Sequence, residues 1–168
     1  MKFLDRVNGV TDLKNISEKD LTELAKDLRK FIIDIVSIKE GHLGASLGTV
    51  ELTIALHYIF NTPYDQLVWD VGHQAYGHKI LTGRAKDFDS LRQYKGLSGY
   101  LKRSESIHDI YEAGHSSTSI AAAAGIEFAK QYTGNSHKVI PIIGDGALTG
   151  GMAFEALNFL GNFNDHQP

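Results

Sequence analysis

Apolar residues recur at helical spacing near the amino terminus. The spacing predicts an amphipathic helix from about Ser17 to Gly41, with its apolar positions at Leu21, Leu24, Leu28, Phe31, Ile32 and Ile35. Ser17 stands at the expected N-cap because Asp20 follows at the third helical position, and Ile16 can pack against Leu21.

Further helices are predicted from similar patterns and from glycine and proline stops. They run from about Thr49 to Phe60, Gln74 to Leu81, Ser119 to Tyr132 and Gly150 to Leu160. Residues 94–109 contain glycines and a polar cluster, and they predict an irregular loop. A loop of that length in a compact domain is usually functional or disordered.

Short apolar segments that each lead into glycine plus histidine or aspartate predict buried parallel strands. These are Leu67–Asp70 before Gly72-His73, Ile110–Ala113 before Gly114-His115-Ser116, and Val139–Ile143 before Gly144-Asp145-Gly146. Parallel strands share one carboxyl edge, so the three turns are expected to converge there. The predicted fold class is therefore α/β, a parallel sheet flanked by helices.

Composition narrows the class of protein. The chain is 42% hydrophobic and 22% charged, which is typical of an ordinary globular domain, and we predict a single domain over residues 1–168. A net charge of -3 argues against nucleic acid as the main partner. Residues 79–103 are locally basic and form either a solvated face or a patch that attracts phosphate: Lys79, Arg84, Lys86, Arg92, Lys95, Lys102 and Arg103.

The absence of cysteine excludes disulfides, thiolate metal sites and a cysteine nucleophile. No apolar run is long enough for a signal peptide or for the roughly 20 residues of a membrane span. We therefore expect a cytoplasmic protein that does not associate with membranes.

Asp145 is the leading candidate for metal binding. It lies between two glycines at a predicted strand end, where open α/β sheets bind their ligands. Its carboxylate can hold Mg²⁺, and the amides that open the next helix favour an anion such as phosphate. The alternative is a strand-to-helix turn that binds nothing.

His42 lies in the glycine-rich segment Gly41–Gly48, just before a predicted helix. A histidine in such a loop can carry a proton near neutral pH or donate a hydrogen bond to an oxyanion. A capping or packing histidine explains the pattern equally well. His57, inside a predicted helix, is interpreted as a packing residue.

His73 and His115 each follow a predicted strand, and His78 comes shortly after His73. The separation of His73 and His78 differs from the i, i+4 spacing that puts two metal ligands on one helical face, so zinc is disfavoured. His115, beside Gly114 and Ser116, is better suited to donating hydrogen bonds to a phosphate. A dinucleotide fingerprint at Gly144–Gly150 fails on the position of its third glycine.

Several segments together resemble the 1-deoxy-D-xylulose-5-phosphate synthases, thiamine diphosphate-dependent members of the transketolase-like superfamily. They are Gly41–Gly48, Trp69–Tyr76, His78–Arg84, Gly114–Ser119, Gly144–Ala147 and Gly151–Asn158. The Gly-Asp-Gly turn is shared by thiamine diphosphate enzymes in general, and the His42 segment is similar in transketolases. The stretch from Trp69 to Arg84 is particular to the synthases.

The resemblance implies an enzyme that joins pyruvate to D-glyceraldehyde 3-phosphate with loss of CO₂, supplying isoprenoid, thiamine and pyridoxal synthesis. It implies Asp145 as the Mg²⁺ ligand and His42 as a catalytic histidine in proton transfer or intermediate stabilisation. The implied thiamine diphosphate contacts are His73, Gly114, His115, Ser116, Gly146 and Ala147. A homodimer is implied for the intact enzyme.

One part of the family pattern is missing from the sequence. In the family an asparagine about thirty residues after the Gly-Asp-Gly motif supplies a second protein oxygen to Mg²⁺, and the chain ends at Pro168. Asn162 and Asn164 lie too close to replace it. We therefore expect a truncated amino-terminal diphosphate-binding domain that is inactive alone. The alternatives are a transketolase-type ketol transferase, a dinucleotide-binding domain and a non-catalytic fragment with an interaction role.

Overall fold

The structure is a computed structural model that describes residues 2–163. The chain packs into two compact units. The first unit contains the chain up to Thr62 together with His73–Leu101, and the second contains Pro63–Gly72 and the chain from Lys102 onward. Each unit draws on two separate stretches of sequence. The interpretation of residues 1–168 as a single domain stays a prediction.

The first unit is helical. Its α-helices are α1 (Val10–Lys14), α2 (Leu21–Lys39), α3 (Leu43–Gly48), α4 (Val50–Ile59) and α5 (Tyr76–Lys79). Short 3₁₀ turns span Leu4–Arg6, Glu18–Asp20 and Ala85–Ser90, and a wider turn spans Ile80–Arg84. Helices α2 and α4 confirm the two helices predicted from the amino-terminal patterns.

The predicted start of α2 needs a correction. Ser17 caps the 3₁₀ turn rather than the α-helix, and its hydroxyl donates to the carboxylate of Asp20 at 3.0 Å. The hydroxyl makes no capping hydrogen bond to a backbone amide, and α2 begins at Leu21, after the 3₁₀ turn. Ile16 is buried and Leu21 packs against the same core, as the predicted hydrophobic contact requires.

The core of the first unit forms around one stripe of α2. Leu24, Leu28 and Ile32 recur at i, i+4 spacing and are fully buried. They pack with residues from α4 and α5 in a single apolar cluster. This packing holds α3, α4 and α5 against one long helix, so short elements gain fixed positions that they would lack alone.

The second unit is built on a parallel pair of strands. Strands β1 (Gln66–Trp69) and β2 (Val139–Ile142) pair in parallel with Leu67 opposite Ile140. The helices of this unit are α6 (Ser119–Thr133), α7 (Asp145–Leu148) and α8 (Gly151–Phe163). Helix α6 packs on both strands and on α8. The fold class predicted from the sequence, α/β with a parallel sheet and flanking helices, is confirmed.

Pro141 lies inside β2, opposite Val68. The amide of Asp70 donates to the carbonyl of Ile142 at 2.8 Å, so Ile142 presents its backbone groups to β1. The backbone N–H and C=O groups of successive residues in a strand point alternately to its two edges. The backbone groups of Pro141 therefore point to the edge of β2 that lies away from β1. The missing N–H of proline therefore costs no hydrogen bond between the two strands.

The predicted strand Ile110–Ala113 is wrong. Within residues 2–163 the sheet has two strands, and the segment around Ile110 is irregular. Acidic side chains fold this segment back on itself. The carboxylate of Asp109 accepts from the amide of Lys102 at 3.1 Å, and that of Glu112 accepts from the amide of Arg103. The irregular loop predicted over residues 94–109 is confirmed.

No helix in the described part of the chain has both the length and the apolarity needed to cross a membrane. Asn164, His166 and Pro168 lie outside the described residues.

Candidate functional site

The Gly-Asp-Gly turn follows the carboxyl end of β2. Gly144 is the N-cap of α7, and its carbonyl accepts from the amide of Leu148 at 2.9 Å. Asp145 is the first residue of α7, and its side chain is exposed, as is Gly146; Ala147 is half-buried. The structure thus presents the carboxylate of Asp145 to solvent at the strand end where the sequence predicted it.

The segment Gly114–Thr118 leads directly into α6. Gly114, His115 and Ser116 are exposed, and the amide of Ser116 donates to the carbonyl of Gly114 at 2.9 Å. His115 therefore lies in a tight turn and not at the end of a strand, which corrects the predicted context. The turn still delivers the three residues to the amino-terminal end of a helix.

Asp70 fixes the end of this turn. Its side chain is 1% exposed, and its carboxylate accepts from the amide of Ser119, the first residue of α6, at 3.0 Å. A buried carboxylate bonded to a helix-opening amide satisfies one of the donors that a helix leaves unpaired. Asp70 is not among the site residues that the sequence predicts. The sequence feature that could have identified Asp70 is its position at the end of a predicted strand, just before Gly72-His73.

The Gly114–Thr118 turn lies against Gly150, which stands between α7 and α8. A Cβ built on Gly150, just before α8, would lie 2.3 Å from the hydroxyl of Ser117. Ser117 itself has φ of +56°, a conformation that few side chains adopt. Ser117 therefore contacts the segment between α7 and α8. Convergence of the three turns at one edge of the sheet stays a prediction, and the strand expected before the Gly114–Thr118 turn is absent from the described sheet.

His42 lies in the first unit, at the start of α3. Its amide donates to the hydroxyl of Tyr76 at 3.3 Å, and its ring centroid lies 5.6 Å from that of His73 and 5.1 Å from that of Tyr100. Tyr76 is fully buried, and this burial raises the pKa of its phenol, partly offset by the hydrogen bond from His42. The tyrosine therefore stays neutral while it accepts the His42 amide.

Helix α3 was missed, because its glycines at 44 and 48 were interpreted as part of a loop. The helix has a positioning role. The hydroxyl of Ser46 donates to the carbonyl of His73 at 3.3 Å, and that of Thr49 donates to the carbonyl of Gln74 at 2.7 Å. These bonds hold the His73 backbone against the segment that carries His42.

His57 is buried, as predicted for a packing residue. Its Nε2 lies 2.9 Å from Nδ1 of His78, and its Nδ1 lies 2.9 Å from the hydroxyl of Thr62. His78 is thus engaged with His57, which favours a structural role for it. Among the described residues, no group of three or more histidine, cysteine, aspartate or glutamate side chains is arranged to hold a metal ion.

The basic segment does not form one solvated face. Lys79 is fully buried and Arg84 is 5% exposed, whereas Lys86, Arg92 and Lys95 are exposed. The Lys79 ammonium donates to the carbonyl of Ser98 at 2.8 Å, and the guanidinium of Arg84 donates to the hydroxyl of Thr82 at 2.9 Å. Two of the basic residues are therefore structural, which their sequence pattern did not reveal.

A parallel pair of strands flanked by helices, with a Gly-Asp-Gly turn after β2, defines an α/β domain. A sequence profile of the family described as 1-deoxy-D-xylulose-5-phosphate synthase matches residues 4–167. The chain belongs to the 1-deoxy-D-xylulose-5-phosphate synthase family.

Individual relatives agree with this membership. The chain is 63% identical over 150 residues to the 1-deoxy-D-xylulose-5-phosphate synthase of Geobacillus sp. (strain WCH70), covering 89% of the chain and 24% of that protein. It is 58% identical to the protein of the same name from Caldanaerobacter subterraneus subsp. tengcongensis, and the match covers 95% of the chain and 26% of that protein. It is 56% identical to the protein of the same name from Cytophaga hutchinsonii, and the match covers 98% of the chain and 26% of that protein. The chain spans about a quarter of the length of these relatives.

Proposed function

We propose that this chain is the amino-terminal part of a transferase that condenses pyruvate with D-glyceraldehyde 3-phosphate to 1-deoxy-D-xylulose 5-phosphate and CO₂, using thiamine diphosphate and Mg²⁺. The observation that carries the proposal is the Gly-Asp-Gly turn after β2, in a chain whose relatives bear the name of that synthase. The product class is a precursor for isoprenoid, thiamine and pyridoxal synthesis.

The donor set at the turn suits a magnesium diphosphate. Mg²⁺ is usually bound by one or two carboxylates, with phosphate oxygens and water completing its octahedron. Asp145 offers one exposed carboxylate, which the proposal assigns to Mg²⁺. Gly146 and Ala147 are assigned to the diphosphate through their amides, and nothing lies within 4 Å of a Cβ built on Gly146, so a ligand can approach its backbone.

The exposed turn before α6 supplies further donors. Ser116 offers a hydroxyl and His115 an imidazole, while Gly114 leaves the backbone open because nothing lies within 4 Å of its built Cβ. We assign these three residues, and His73 of the first unit, to cofactor binding. Thiamine diphosphate, when bound, supplies a nucleophilic carbon and an electron sink for the loss of CO₂ from pyruvate.

His42 is the proposed catalytic residue. Its backbone amide donates to the Tyr76 hydroxyl, and the residue is the N-cap of α3. An imidazole titrates near neutral pH, so it can take up or release a proton, or donate a hydrogen bond to a developing oxyanion. A cytoplasmic location and a homodimeric intact enzyme stay predictions.

Replacing Asp145 tests the proposal directly. In a full-length protein that carries this chain, Asp145→Asn is expected to weaken Mg²⁺ and thiamine diphosphate binding together, because it removes a ligand charge that offsets the cation. Titration calorimetry measures both affinities, and Asp89→Asn, at another exposed aspartate, is the matched control.

Unchanged affinity for both ligands in Asp145→Asn would overturn the metal assignment. Binding of a nicotinamide dinucleotide in place of thiamine diphosphate would instead support the dinucleotide-binding alternative.

A further inference from the structure

A short strap, Leu97–Leu101, crosses the first unit beside His42. Both of its ends are anchored by buried leucines, Leu97 at 8% exposure and Leu101 at 4%. The carbonyl of Leu97 also accepts from the amide of Arg92 at 2.7 Å. The strap has no regular secondary structure, so these contacts and not a helix or sheet ladder determine its position.

Lys79 holds the middle of the strap. Its side chain is fully buried at the end of α5, and its ammonium donates to the carbonyl of Ser98 at 2.8 Å. Burying an ammonium is costly unless it is hydrogen-bonded, so displacement of the Ser98 carbonyl is penalised. The Ser98 hydroxyl in turn accepts from the amide of Tyr100 at 3.1 Å, which orders the next turn of the strap.

Tyr100 is the residue that the strap brings to His42. Their ring centroids are 5.1 Å apart with an interplanar angle of 55°, closer than the centroids of His42 and His73 or of His42 and Tyr76. Tyr100 is 38% exposed, so one side of its ring meets solvent while the other side packs on the imidazole. Ring pairs at this separation restrict each other's rotamers and add to their burial energy.

We propose that Tyr100 and Lys79 are positioning residues for His42. Tyr100 packs on the imidazole and limits its orientations, and Lys79 acts through Tyr100 by fixing the strap. The proposal rests on the proposed function only in giving His42 a reaction to perform. The positioning itself is a property of this chain and can be measured without cofactor or substrate.

Nuclear magnetic resonance of the 168-residue chain tests the positioning. The imidazole proton resonances of His42, assigned by their loss in His42→Gln, report the ring current of Tyr100. Tyr100→Ala is expected to shift these resonances, whereas Tyr100→Phe keeps the ring and leaves them near their original positions. Tyr94→Ala is the matched control because Tyr94 is 92% exposed on the preceding turn.

The role of Lys79 is tested by coupling. Lys79→Met removes the ammonium at similar size and is expected to shift the His42 resonances in the same direction as Tyr100→Ala. The double variant should match Tyr100→Ala alone, because Lys79 acts only through that ring. Should Lys79→Met lose its dispersed spectrum, Ser98→Ala, which removes the acceptor for the Tyr100 amide, tests the strap in its place.

His42 resonances that do not move in Tyr100→Ala would overturn the proposal. Resonances that move in Tyr100→Ala but not in a folded Lys79→Met would overturn the part played by Lys79, and resonances that move in neither Lys79→Met nor Ser98→Ala would overturn the role of the strap.

Turnover of the full-length enzyme separates this inference from the proposed function. Tyr100→Ala should lower kcat about tenfold, less than the 10²- to 10⁴-fold typical for loss of a general acid or base, and Tyr100→Phe should restore it. Unchanged kcat with shifted His42 resonances would contradict the reaction assigned to His42 and support the positioning.

Discussion

At position 41 the backbone admits little except glycine. Gly41 has φ of +151°, and a Cβ built there would lie 2.5 Å from the hydroxyl of Tyr76. That hydroxyl accepts the amide of His42, so the close approach and the hydrogen bond belong to one arrangement.

Gly41→Ala is therefore expected to destabilise the chain by about 1–3 kcal/mol, because it combines a strained φ with a steric overlap in a buried region. Urea denaturation measures the change. Gly44→Ala is the control, since nothing lies within 4 Å of a Cβ built on this helical glycine and its exchange for alanine should be neutral or mildly stabilising. Equal stability of the two variants would show that the Tyr76 side chain can move away from the new Cβ without loss of folding free energy.

Single residues also show what the sequence could reveal about the site. Asp145 and His42 could be selected because glycines flank them, and glycine patterns are visible in a sequence. Tyr100 and Lys79 could not be selected, because their importance arises from contacts with residues far along the chain. A lysine among other basic residues gives no sign that it is buried.

At the scale of elements, a charged pair joins α2 to α4. Arg29 donates two hydrogen bonds to the carboxylate of Glu51, one of them at 2.7 Å, in a bidentate arrangement. The hydrogen bonds from Arg29 lower the pKa of Glu51, and the same pairing raises that of Arg29. The pair lies at the surface, where the Glu51 side chain is 62% exposed.

Glu51→Gln is expected to cost less than about 1 kcal/mol at pH 7, as for other exposed pairs. Because the folded-state pKa of Glu51 is lowered, the stabilisation is complete above its unfolded-state value of about 4.3 and is lost as pH falls through the folded-state value. Urea denaturation across this acid range should show the variant and the parent converging. Glu23→Gln, which breaks a pair within α2, is the control; a difference that persists at low pH would exclude the charge as its cause.

The contact between Ser117 and Gly150 in the second unit gives a sharper test. Gly150→Ala should destabilise the chain by about 1–3 kcal/mol because its Cβ overlaps Ser117. Adding Ser117→Gly removes the overlapping hydroxyl and relieves the positive φ, so the double variant should regain most of the loss.

Gly151→Ala provides the neighbouring control, since nothing lies within 4 Å of its built Cβ. Thermal unfolding followed by circular dichroism measures all three variants. A double variant as unstable as Gly150→Ala would show that the Ser117 side chain is not the obstacle.

Elements differed in how well their sequences predicted them. Helix α2 has apolar residues at helical spacing, and β2 is a continuous apolar run. Both signals are strong, and both elements were predicted. Ile110–Ala113 gave a similar apolar signal, but the carboxylates of Asp109 and Glu112 bind backbone amides that precede it. These hydrogen bonds tie residues 109–112 to Lys102 and Arg103 within a loop, and a contact of this kind is not encoded in periodicity.

At the scale of the whole molecule, the chain spans about a quarter of its relatives. We predict that the 168 residues alone form no 1-deoxy-D-xylulose 5-phosphate when incubated with Mg²⁺, thiamine diphosphate, pyruvate and D-glyceraldehyde 3-phosphate. Asp145 is the one carboxylate that the proposal assigns to Mg²⁺ here, and a single ligand holds this strongly hydrated ion weakly. Product above background in a coupled or chromatographic assay would contradict the prediction, with a full-length relative as positive control.

Pro141 bears on how copies of this chain meet in concentrated solution. Amyloid-like growth needs a row of backbone donors and acceptors to which another strand can add. The edge of β2 turned away from β1 lacks a donor at Pro141, in the middle of the strand. An incoming strand would leave an acceptor unmatched there, so we expect this proline to disfavour strand-by-strand stacking while leaving the pairing with β1 intact.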